Sequence, residues 1–220
     1  WRVRAVAAHS RAFGEDVGPC SYEDIGAADL ILLVGSNTAW CHPVIWQRIE
    51  KVRERRGTRL VVIDPRRTET AERADLHIPV APDGDVALFD ALLAEMRQRG
   101  ALDQAFLSAN VEMPDDFWAT LDAAQCPIDP ALFAALAEMV AASPRMLTLF
   151  SQGANQSTSG TDKGNAIINL HLAMGRINRH GAGPFSITGQ PNAMGGREVG
   201  GLANTLACHL GFSDAERADV

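Results

Sequence analysis

A chain of 220 residues with 46% hydrophobic content can bury a substantial core, and no run in it approaches the roughly 18 consecutive apolar residues of a membrane helix. The net charge of −7 is unevenly placed: residues 1–144 hold 14 Lys+Arg against 22 Asp+Glu, whereas 145–212 hold 5 against 2. A locally basic stretch inside an acidic protein suits a small anion or a phosphorylated ligand and argues against nucleic acid, which calls for a broader basic face. Cys20, Cys41, Cys126 and Cys208 show no C-x-x-C spacing, which argues against a zinc or iron–sulfur site built from this segment and suits a reducing compartment.

In chain order, residues 5–13 are short and partly apolar, and a turn region follows at Gly14–Pro19. Ala28–Gly35 is a continuous apolar run closed by glycine, the pattern of a strand buried on both faces of a parallel sheet. Val44–Arg56 places Val44, Ile45, Ile49 and Val52 on one helix face, and Gly57 ends it. Arg59–Asp64 is a second buried strand stopped by Pro65, so the three elements make a βαβ unit. In such sheets ligands bind outside the strand carboxyl ends, which here read Gly35-Ser36-Asn37 and Asp64-Pro65-Arg66. No G-x-G-x-x-G is present, so a nicotinamide fingerprint is not indicated.

Leu76–Val80 is expected to be a short third strand, and Pro82–Asp85 leads into a helix over about 86–99, for which Asp85 serves equally well as a simple N-cap. Residues 103–143 read as a helical subregion, with helices over 104–109, 114–121 and 130–142. Arg145–Phe150 is the next strand, and its carboxyl end opens into the polar loop Ser151–Gln156. A helix over about 162–174 follows, with His171 read as a packed, hydrogen-bonded side chain. Ser186–Gly201 then holds five glycines and one cation, Arg197, which leaves two readings open: a surface connection with an Arg197–Glu198 pair, or an anion site. The fold class is α/β: a Rossmann-like parallel sheet with flanking helices over 1–143, and, over 144–220, part of a second α/β cofactor-binding domain.

Four stretches carry a family resemblance. Gly35–Pro43 (Gly-Ser-Asn-Thr-Ala-Trp-Cys-His-Pro), Ile63–Thr68, Asn169–Leu172 and above all Gly183–Gly201 resemble the catalytic subunits of bacterial assimilatory nitrate reductases, within the molybdopterin oxidoreductase family related to dimethyl sulfoxide reductase. The resemblance implies a molybdenum ion held by two molybdopterin guanine dinucleotides, with reduction of nitrate to nitrite by oxygen-atom transfer. It also implies that this chain is an internal piece of a longer cytoplasmic enzyme, inactive alone. A 4Fe–4S cluster is then expected in an amino-terminal domain, and a ferredoxin, a flavodoxin or an NADH-linked reductase as electron donor.

By the same resemblance, Gly35, Ser36, Asn37, Thr38, Cys41 and His42 line one guanine dinucleotide, Asp64, Pro65 and Arg66 lie at its nucleoside end, and Asp83, Gly84 and Asp85 beside the base. Gln152, Gly153 and Gln156 approach the pterin, and Gln190 and Arg197 face the substrate. Nitrate is planar, weakly basic and anionic, so a guanidinium fork can hold and orient it, with an amide adding a donor. The metal-ligating cysteine of the family, counted back from Ala5-Val6, would fall at about Trp1, where Trp1–Arg4 does not match the pattern, so no metal ligand is expected within this chain. Cys41 sits in the dinucleotide loop and does not replace it. A formate dehydrogenase or periplasmic nitrate reductase of the same superfamily, and a non-catalytic nucleotide-binding module, are the alternatives.

Overall fold

A computed structural model describes residues 2–122, 126–187 and 199. The chain begins with α1 (Arg2–Phe13), and a short 3-10 turn precedes β1 (Leu30–Val34). Then come α2 (Thr38–Cys41), α3 (Pro43–Arg56), β2 (Arg59–Ile63), α4 (Glu69–Glu72), β3 (Leu76–Ile78) and α5 (Asp85–Gln98). The remainder is α6 (Gln104–Asn110), α7 (Phe117–Asp122), α8 (Pro130–Ala142), β4 (Met146–Phe150), α9 (Gln152–Asn155), α10 (Gly160–Ala173) and β5 (Gly183–Ser186).

The strands form one parallel sheet in the order β3-β2-β1-β4-β5. Every residue of β1 is buried because helices cover both faces, which is why its sequence is continuously apolar and does not alternate. Successive side chains still point to opposite faces. Leu30, Leu32 and Val34 join Val61, Ile63, Met146 and Phe150 under α5, α8 and α10, whereas Ile31 and Leu33 join Leu60, Val62, Leu147 and Leu149 under Ile45, Trp46, Ile49 and Val52 of α3. Pro43 opens α3 and Gly57, at φ 70°, closes it; Asp103 and Asp129 cap α6 and α8 through backbone N–H groups. His171 of α10 is fully buried and pairs through Nε2 with Thr148 Oγ1 at 2.8 Å.

The expected α/β class and parallel sheet are observed. The boundary placed after residue 143 falls at no break in the sheet: β4 pairs in parallel with the whole length of β1, and β5 pairs with β4. A helix over 2–13 and a strand over 183–186 add to the expected elements.

Candidate functional site

Strand order fixes where a ligand can enter. From β1 the chain runs to β2 and β3 on one side, while β4 and β5 lie on the other, so the order of strand addition reverses between β1 and β4 although all strands stay parallel. Loops leaving two such neighbours diverge to opposite faces and open a crevice at their carboxyl ends.

At that point the two loops touch. Gly35, at φ 56°, accepts a hydrogen bond on its carbonyl from the Gly153 amide at 2.9 Å, and a Cβ on either glycine would lie 2.6 Å from backbone atoms across the contact. These two glycines therefore permit loop-on-loop packing. Around them, Ser36 and Thr38 share a buried hydroxyl pair at 2.8 Å, and Asn37 Oδ1 accepts from Thr70 Oγ1 at 2.8 Å, fixing the loop to α4. His42, half-buried, lies 3.5 Å from Ser151 Oγ, and burial holds its pKa below the ordinary value, favouring neutral imidazole. Ser151 in turn donates to the Ile187 carbonyl at 2.9 Å, which ties the end of β4 to the end of β5. Cys41 is exposed.

One strand further out, buried Asp64 accepts from the Arg66 amide at 2.9 Å, leaving the Arg66 guanidinium exposed with its Nε 3.9 Å from that carboxylate. Pro65 is likewise exposed. The turn Asp83-Gly84-Asp85 follows β3, and Gly84 rather than Asp85 is the N-cap of α5. Asp85 is instead paired with Lys163 of α10 at 2.8 Å, and Lys163 also meets Asp83 at 3.0 Å.

Sequence reasoning passed over Lys163, which carries no local signal, and Asn155. Asn155 ends α9, the short helix leaving β4, between exposed Gln152 and Gln156; it is 4% exposed and gives its Nδ2 to Ser186 Oγ at 3.4 Å, while its Oδ1 is buried without a hydrogen-bond partner. Gln190 and Arg197, expected to face the substrate, lie outside the described residues.

The molybdopterin oxidoreductase profile matches residues 4–218. The chain belongs to the molybdopterin oxidoreductase family. A nitrate reductase of Shewanella frigidimarina is 48% identical over 222 residues, covering 97% of this chain and 24% of the relative. A nitrate reductase of Klebsiella oxytoca is 49% identical over 211 residues, covering 94% and 24%. Among solved structures, acetylene hydratase from Pelobacter acetylenicus superposes with a TM-score of 0.68 at 20% identity, over 81% of this chain and 25% of that one, a likeness of fold. The chain thus spans about a quarter, 24%, of the length of these curated relatives.

Membership in the family implies a molybdenum–pterin cofactor, and the groups at the crevice fit one. A pterin presents N–H donors along its ring edge, and the unpartnered Asn155 Oδ1 is a buried acceptor of the complementary kind. Phosphate needs a cation free to reach it, and the side chain of Arg66 is 79% exposed at the same sheet edge.

Proposed function

We propose that this chain is part of a longer molybdenum-dependent nitrate reductase that converts nitrate to nitrite, and that its cofactor is the bis(molybdopterin guanine dinucleotide) form. What carries the reading is 48–49% identity to two nitrate reductases over nearly the whole chain, combined with polar loops gathered at the β1–β4 crevice. When bound, the molybdenum–pterin group supplies two-electron oxygen-atom-transfer chemistry.

The chain's own residues bind and orient. Gly35, Ser36, Asn37, Thr38, Cys41 and His42 hold one dinucleotide, with Asp64, Pro65 and Arg66 at its nucleoside end and Asp83, Gly84 and Asp85 beside the base. Gln152, Gly153 and Gln156, joined by Asn155, approach the pterin. Arg197 holds nitrate through its planar fork of donors and Gln190 adds an amide, so the anion is fixed in one orientation before it reacts. A 4Fe–4S cluster, a ferredoxin, flavodoxin or NADH-linked electron donor, and a cytoplasmic location belong to the same reading of the longer protein.

The test is anaerobic assay of the full-length protein with reduced viologen. Nitrate-dependent oxidation of the dye with stoichiometric nitrite is expected. No response to nitrate, or turnover with formate in its place, rejects the proposal.

A further inference from the structure

Lysine is almost never fully buried without partners, because its ammonium loses water on burial. Lys163 is only 3% exposed, on the first turns of α10, and its Nζ meets Asp85 Oδ2 at 2.8 Å and Asp83 Oδ1 at 3.0 Å. Asp83 is one of two non-glycine residues with positive φ among those described, at 66°, and Ser159 Oγ also donates to its Oδ1 at 3.0 Å. A residue in that conformation persists when its surroundings over-determine it, as two donors from α10 and its approach do here. Lys163 and Asp85 are buried while the Asp83 side chain is 60% exposed, and desolvating the ammonium and one carboxylate offsets most of the attraction, so the triad contributes little net stability. Its specific effect is geometric.

The turn 83–85 follows β3, whereas Ser159 and Lys163 follow the loop leaving β4; β3 and β4 are not neighbours but stand on opposite sides of β2 and β1. The ion triad therefore spans the sheet's carboxyl edge and fastens the outer turn to the segment that carries Gln152–Gln156. We propose that Lys163 is a positioning residue: through Asp83 and Asp85 it sets the base-facing turn against the pterin-facing loop, so that both ends of one dinucleotide cofactor are gripped in a fixed relation. This rests on the cofactor reading given above.

The test uses the full-length protein, with bound guanine nucleotide released by acid hydrolysis and quantified per polypeptide beside molybdenum content. Lys163→Met is expected to lower guanine occupancy after extended dialysis about tenfold, the size typical of groups that orient a ligating residue without touching the ligand. Lys163→Arg, which keeps charge and donors, is expected to restore most of it. Asp83→Asn tests the same link with little effect on the fold, because asparagine tolerates the left-handed conformation while losing the charge; its thermal midpoint in cofactor-free protein should match wild type while occupancy falls. Wild-type occupancy in both Lys163→Met and Asp83→Asn, or in Asp83→Asn alone if Lys163→Met does not fold, overturns the role of Lys163. Wild-type protein that holds molybdenum but no guanine nucleotide overturns the dinucleotide reading itself.

Discussion

The Gly153 amide donates to the Gly35 carbonyl at 2.9 Å, which puts the segments leaving β1 and β4 in backbone contact at the point where the strand order reverses. Gly35→Ala places a methyl carbon 2.6 Å from the Ala154 nitrogen and imposes a left-handed conformation on a residue with a Cβ. Together these should cost about 2–4 kcal/mol. Gly153→Ala meets Gly35 Cα at 2.6 Å but has no such conformational penalty, so it should cost less. Thermal unfolding of the intact protein checks the order; equal, negligible losses in both would show that the loops can separate freely.

His171 should make the fold acid-sensitive. Burial lowers its pKa from 6.5 to about 3, with the Arg176 charge adding to the effect. Because the folded value is the lower one, the unfolded chain takes up the proton first. This contribution is complete above about pH 6.5 and is lost as pH falls towards about 3, by up to ~1.4 kcal/mol per pH unit. His171→Gln cannot titrate, so its thermal midpoint should approach that of wild type as the buffer is taken from pH 7 to about 4. A constant gap over that range would contradict a buried neutral imidazole.

Arg145 grips Asp29 with two contacts, Nε to Oδ2 at 2.9 Å and Nη2 to Oδ1 at 2.6 Å, at the amino ends of β4 and β1. Both side chains are partly exposed, and the Arg145 hydrogen bonds hold the Asp29 carboxyl below its ordinary pKa. Asp29→Asn should cost about 0.5–1 kcal/mol in low salt. The loss should shrink near 1 M salt, where screening acts over roughly 3 Å. Denaturant titration at two ionic strengths decides it, and a salt-independent loss would assign the effect to the backbone pairing beneath.

Arg197→Lys in the full-length enzyme keeps the charge and loses the planar fork. A drop in kcat/KM for nitrate on the order of tenfold to a hundredfold is expected, with the thermal midpoint retained. Parallel loss of midpoint and activity would make Arg197 a structural ion-pair partner.

The inner strands were legible because burial on both faces leaves an unbroken apolar run, as in Leu30–Val34 and Met146–Phe150. The β5 segment was not, since Gly183 and Pro184 argue against a strand; Pro184 is accommodated because β5 is the last strand in the described sheet, where a missing N–H is tolerated. For the site, the loops at the carboxyl ends of β1, β2 and β4 could be read from their position after apolar runs. For Asp85 the N-cap alternative stayed open because a carboxylate before a helix looks the same whether its partner is a local amide or a lysine on another helix; Gly84 is the N-cap and Asp85 pairs with Lys163. Lys163 shows the general limit: whether a charge is buried depends on which helix packs over it, and single-residue chemistry does not encode that.

The pairing of β1 with β4 has a consequence for biogenesis. Asp29 and Arg145, at the matched ends of these strands, are 116 residues apart in sequence. During synthesis β1, β2 and β3 leave the ribosome long before β4, so the growing chain carries an unpaired apolar edge along β1 until the second half emerges. Non-local parallel pairing of this kind closes slowly. Closure of the β1–β4 edge therefore waits until the residues between the two strands have been made.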